Sequence, residues 1–262
     1  MTTEDNAPAG PDAALLAETV EASPTPRSRP GLAIMCTIVV GVAYLVAQAL
    51  VFFGFMAADM RADPNFDMLE WSYEHQFNGT VLAVATLAGA VAGVPLTLAF
   101  GRFVGGGSVR NGLALRPTSL LNVVGWTLVV VVYCLAADLL SGHQEGELVP
   151  EFMSEAYRTA SPPALLWLAL VVAAPLSEEL LFRGLLFGGL VNTRIGFWGA
   201  AIITAASWAA LHVQYEIVGI AIVALGGLIF ATARHRTRSI YPCLAMHAAW
   251  NTIAMFETAY FA

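Results

Sequence analysis

Seven stretches of the chain are apolar and almost free of charge, and polar segments separate them. They cover residues 31–58, 80–101, 118–137, 162–191, 197–211, 217–233 and 239–256. A membrane-crossing helix needs about 20 apolar residues, whereas a barrel strand needs about 9–11. The pattern therefore predicts an all-α fold, a polytopic transmembrane helix bundle of about seven spans. Gly89 and Gly93 in the second span suit close helix packing. Between spans, residues 59–79 are polar and mostly acidic and read as a loop. Residues 102–117 read as a second loop; Gly105-Gly106-Gly107 lacks the Lys-Ser/Thr of a phosphate loop and signals flexibility. Residues 141–161 form an acidic connection, with a short interfacial helix expected over 149–157. A turn at 213–216 and a basic loop at 234–238 complete the pattern, and no internal repeat is evident.

Residues 1–30 are rich in Ala, Pro, Thr and acids with no apolar face, which predicts a disordered tail. The apolar run after it is too long for the core of a signal peptide. The chain thus divides into the tail 1–30, N-terminal transmembrane helices over 31–141, and a C-terminal transmembrane core over 162–258.

Composition agrees with the pattern. Of 262 residues, 58% are hydrophobic and 12% charged, against about 25% charged in soluble domains. The protein is expected in the cell membrane, multi-pass, with the lipid bilayer as its solvent. Its formal charge is −7, and no basic cluster or aromatic–basic interleaving points to nucleic acid. Cys36, Cys134 and Cys243 are isolated in apolar runs, so they read as small buried side chains, not as a disulfide framework or metal knuckle. The chain has no lysine, so arginine alone tests orientation. With seven spans, Arg27, Arg29, Arg102, Arg110, Arg116, Arg194, Arg234, Arg236 and Arg238 share one side, and Arg61 and Arg158 the other. This bias predicts a cytoplasmic N-terminus and an outside C-terminus.

The twelfth arginine lies inside the fourth span, in Ser177-Glu178-Glu179-Leu180-Leu181-Phe182-Arg183-Gly184. Each charge placed in hydrocarbon costs about 2.5–3.5 kcal/mol on insertion scales. Glu179 and Arg183 lie four apart, about 40° around a helix, and can pair. Glu178 points about 140° away from Arg183 and is left to face something else. Gly184 and Gly188 offer a smooth strip for a neighbouring helix. Pro175 can kink the span or free a carbonyl beside the carboxylates. The bland reading of the stretch is an ion pair that glues two helices together.

Other polar groups can join Glu178. His75, His143 and His235 fall in loops and read as facing water. His212 closes the fifth span, and His247 sits in the seventh, one turn before Asn251. Glu178 and His212 lie at similar depths, roughly 20 Å and 22 Å from the cytoplasmic ends of their spans. Three helices can therefore present Glu178, His212, His247 and Asn251 to one internal chamber. A poorly solvated carboxylate suits a general base, histidine shares proton traffic, and a histidine with an amide can stabilise an oxyanion. Glu178, His212 and His247 also match a three-ligand zinc site with an open water position, and the residues do not decide between these. No HExxH or GxSxG is present, and Ser177 reads as a packing residue. A proton-coupled transporter using the same Glu/His cluster is a second class, though no inverted repeat supports it. A non-catalytic scaffold is a third.

Glu178-Glu179-x-x-x-Arg183, Trp208-x-x-x-His212 and His247-x-x-x-Asn251 together resemble the three-motif signature of the CPBP family, the CAAX protease and bacteriocin-processing (Abi) proteins related to the CAAX prenyl endopeptidase. The likeness covers roughly 162–256 and makes 162–258 a CPBP-type catalytic core. It implies an intramembrane endopeptidase acting on a peptide or protein substrate at the membrane. By that resemblance Glu178 and His212 activate water, His247 and Asn251 steady the oxyanion, and Glu179 and Arg183 support the site. Members are described both as zinc metalloproteases and as metal-free glutamate proteases, and some bacterial relatives are bacteriocin-immunity proteins. One departure is Trp208, where the second motif usually has Phe; the exchange of one aromatic for another bears on local packing.

Overall fold

The computed structural model describes residues 30–145 and 149–261, so the expected tail 1–30 lies, but for Pro30, outside the described residues. Among the described residues ten helices follow one another, and no strand occurs. They are α1 (Pro30–Ala62), α2 (Met68–His75), α3 (Gly79–Val104), α4 (Val109–Gly112), α5 (Leu120–Glu145), α6 (Glu151–Thr159), α7 (Pro163–Leu190), α8 (Gly196–Ala209), α9 (Ile217–Thr237) and α10 (Tyr241–Phe261). Five of them, α1, α3, α5, α7 and α9, are long and apolar enough to cross a membrane. The other two apolar runs became α8, only 14 residues long, and α10, which carries His247, Asn251 and Glu257. The protein is a multi-pass helical membrane bundle.

Burial separates the centre from the lipid face. In the most apolar stretch of α7, 56% of residues are buried, against 11% in α1 and in α5. The core runs along α7 through Leu180, Leu185, Phe187 and Leu190, and meets Trp208 of α8, Phe230 of α9 and Met246 of α10. Helix α1 packs along α3, and α5 packs against α10. At 33 residues α1 is about 50 Å long and exceeds a bilayer core of about 30 Å, so it tilts or emerges.

Helix α7 is not a uniform α-helix. Two π-helical turns interrupt it, Ala169–Ala173 and Leu180–Leu186, on either side of the Glu178-Glu179 pair. Pro175 follows the first. The N–H of Ala174 bonds the carbonyl of Ala169, five residues back. In that frame the carbonyl of Leu170 would need the nitrogen of residue 175, and proline has no N–H to offer. The Leu170 oxygen is thereby released from the helix.

The connections differ from their sequence reading in two places. Residues 59–79 are not simply a loop: α1 continues to Ala62, and α2 forms behind an Asp67 cap that accepts from Leu69 N at 2.8 Å and Glu70 N at 3.0 Å. Asp67 with Glu70 three residues on is an N-terminal signal legible in the sequence. His75, expected in water, stacks on Trp71 with ring centroids 4.2 Å apart. Residues 102–117 fold inward. Leu113 is fully buried, Ala114 accepts a hydrogen bond from Ile240 N at 3.1 Å, and Gly184 and Gly188 face this segment together with Ile240 and Arg234.

The expected interfacial helix is α6. Its apolar side chains Phe152, Met153, Ala156 and Tyr157 share one face, as a period of 3.6 requires. Thr159 Oγ accepts from Gly79 N at 2.8 Å, and Thr80 Oγ donates to the Thr159 carbonyl at 3.1 Å. These bonds fasten α6 to the start of α3. They bring Phe152 against Tyr215, in the connection between α8 and α9, at 5.1 Å between ring centroids.

Candidate active site

The two adjacent carboxylates of α7 have opposite surroundings. Glu179 is completely buried, while the Glu178 side chain is 23% exposed, toward an internal chamber. Arg183, also completely buried, donates from Nη1 to Glu179 Oε1 at 2.9 Å. The same oxygen accepts from His247 Nδ1 at 2.9 Å. A buried anion held by a charge-assisted bond and an imidazole N–H is far better satisfied than either acid would be alone in hydrocarbon. The guanidinium also lies over two rings, 4.4 Å from the Trp208 centroid and 5.0 Å from that of Phe230. Such cation–π contacts are strongest when desolvated.

Fixing Nδ1 fixes the ring. His247 turns Nε2 toward Glu178, 3.9 Å from Oε2, and lines the chamber. Trp208 of α8 packs edge-on against His247, with centroids 5.3 Å apart. Its indole Nε1 donates to Glu178 Oε2 at 2.5 Å. This is a correction to the reading of Trp208 as a matter of packing: a tryptophan brings an N–H donor where phenylalanine has none. The signal was available in the residue type itself.

His212 lies just beyond the end of α8. Its Nδ1 donates to the Trp208 carbonyl at 2.9 Å, which leaves Nε2 free, and its ring stacks near Tyr215 at 6.2 Å. Helix α8 is about 21 Å long and falls short of a bilayer core. Irregular backbone at membrane depth is tolerated where it lines a cavity, and Leu211, His212, Gln214 and Tyr215 do so. Asn251, one turn along α10 from His247, donates from Nδ2 to the Leu170 carbonyl at 2.6 Å. This is the oxygen that the π turn and Pro175 release. The amide is therefore oriented by α7, and its second N–H stays available.

Two adjoining cavities meet at these side chains. One, of about 440 Å³, is lined by Glu178, His212, His247 and Asn251, with Tyr44 and Gln48 from α1. The other, of about 550 Å³, shares His212, Tyr215, His247 and Asn251 and extends toward Asp138 and Glu257. The structure thus brings Glu178, His212, His247 and Asn251 to one chamber wall, and puts Glu179 and Arg183 behind it. Ser177 donates to its own helix, Oγ to the Ala173 carbonyl at 2.8 Å. Tyr44 and Tyr215, neither singled out in the sequence, line the same cavity as Glu178.

A zinc ion would need three convergent donors. Among the described residues no group of three His, Cys, Asp or Glu side chains is arranged to hold a metal, and Glu178, His212 and His247 do not form one. The donor set does not fit the ion in this arrangement, and no step below passes through it.

Residues 160–253 match the family model described as type II CAAX prenyl endopeptidase Rce1-like. An uncharacterized 24.3 kDa protein of Escherichia coli is 31% identical over 154 residues, covering 56% of this chain and 70% of that protein. No solved structure matches the chain.

Proposed function

From the type II CAAX prenyl endopeptidase Rce1-like family, to which this chain belongs, we propose that it is an intramembrane endopeptidase that hydrolyses a peptide bond with water activated by Glu178 and His212. The observation that carries this reading is the asymmetry of the acid pair. Glu179 is spent on Arg183 and His247, and Glu178 alone opens on the chamber.

The steps follow from the donors and acceptors present. Glu178 takes a proton from a chamber water, while the free Nε2 of His212 orients that water. The oxygen adds to the scissile carbonyl. Charge forms on the carbonyl oxygen, and two donors serve it: the second amide N–H of Asn251, and Nε2–H of His247 in its imidazolium form. The Glu179 carboxylate behind Nδ1 holds the ring in place and balances that positive charge, in the way a carboxylate orients a working histidine. Glu178 then returns its proton to the leaving amine, so water is added across the C–N bond and the carboxylate is regenerated.

The substrate is a peptide or protein segment presented from the bilayer. The test is the purified protein in lipid vesicles with membrane-embedded peptides. The expected result is a cleaved peptide with new termini, at a rate that a zinc chelator leaves within about twofold, as a step without metal requires. Abolition by the chelator with restoration by zinc would overturn the metal-free step. Proton flux driven by a pH gradient, without cleavage, would support the transporter reading instead.

The arginine bias supports a cytoplasmic N-terminus and an outside C-terminus. A C-terminal reporter that works only outside the cytoplasm is expected to be active. An inactive reporter in a folded fusion would reverse the orientation.

A further inference from the structure

Resting on the reading that Glu178 activates water, we infer that Tyr44 of α1 is a further catalytic residue, whose phenol holds that water while Glu178 removes its proton. Tyr44 lies in the N-terminal part of the chain, beyond the reach of the family match. It lines the chamber with Glu178, His212, His247 and Asn251. The uncharged run 31–58 within α1 has little reason to spend a tyrosine and a glutamine four residues apart on lipid. Here both line the chamber, one helical turn apart.

The ring is seated, not loose. A Cβ on Gly89 of α3 would stand 2.7 Å from Tyr44 Cε2 and 2.9 Å from Cζ, and one on Gly93 would stand 3.3 Å from Cδ2. The two glycines are the slot in which the ring lies, so α3 sets its position. A seated phenol that lines the same chamber as Glu178 and the oxyanion donors is placed to hydrogen-bond the same water. The proton goes to Glu178, and the phenol remains neutral throughout. Trp208 holds one oxygen of the base and Tyr44 steadies the nucleophile, from opposite halves of the chain.

The experiment compares the full-length protein in vesicles with its Tyr44→Phe and Gly89→Ala variants, each checked for folding by thermal unfolding. Tyr44→Phe keeps the ring and removes only the oxygen. Its kcat is expected to fall about tenfold, the worth of one hydrogen bond made to the reacting group, with KM within about twofold of wild type. Gly89→Ala displaces the ring and is expected to lower kcat similarly. Wild-type kcat in Tyr44→Phe, or a change confined to KM, would overturn the inference. Should Tyr44→Phe not fold, Gly89→Ala carries the test alone, and a kcat equal to wild type there overturns the inference equally. An inactive Glu178→Gln beside a fully active Tyr44→Phe removes this inference alone; an active Glu178→Gln removes the reading beneath it.

Discussion

Replacing Arg183 by methionine is expected to destabilise the folded protein by about 3–5 kcal/mol, the cost of stranding one half of a buried ion pair. Arg183 and Glu179 are both without solvent contact, so the orphaned carboxylate has no water to turn to. Its remaining partner is His247 Nδ1, and the guanidinium's contacts with Trp208 and Phe230 vanish as well. Thermal unfolding in detergent or vesicles measures the loss. Making Glu179→Gln in the same chain removes the charge and is expected to recover most of the stability, because an uncharged pair escapes the desolvation penalty. Activity is not expected to return with it. A glutamine still accepts from His247, yet it supplies no negative charge behind the imidazole. A single Arg183→Met variant with unchanged unfolding would show that the pair is dispensable for the bundle.

The adjacent acid behaves in the opposite way. Glu178→Gln is expected to leave thermal unfolding close to wild type and to reduce peptide cleavage by about 10²–10⁴-fold, the range a general base contributes. The substitution preserves the side-chain volume and keeps an amide oxygen for the Trp208 N–H. The side chain faces the chamber, so no buried charge is stranded. What is lost is the capacity to take a proton. On this proposal two neighbouring glutamates separate into one that holds the fold and one that does the chemistry, and only their environments distinguish them. Full cleavage by a folded Glu178→Gln variant would assign the chamber to some other use.

Much of this was legible before any coordinates. The Glu179–Arg183 contact follows from a four-residue spacing, and the apolar runs follow from composition alone. The structure adds what depends on distant partners. The Leu170 carbonyl is free because a π turn meets Pro175, and its acceptor role emerges only when Asn251 arrives from α10. Proline hinted at a free carbonyl without saying which. Trp208 was visible as an aromatic, but its bond to Glu178 depends on how α8 crosses α7. Leu113 was hidden in a Gly-rich stretch whose polar flanks suggested solvent, and it is buried because the segment folds back under α7. Tyr44 was overlooked because one hydroxyl barely changes the hydropathy of a long span. The polar Gln48 four residues on was the trace it left.

A single turnover in heavy-oxygen water, with protein in excess over a membrane-embedded peptide, tests most directly whether Glu178 delivers water to the carbonyl. The predicted result is heavy oxygen in the new carboxyl terminus of the product and none in Glu178. Heavy oxygen in Glu178 with an unlabelled product would mean that the glutamate itself attacks the peptide, and would contradict the account.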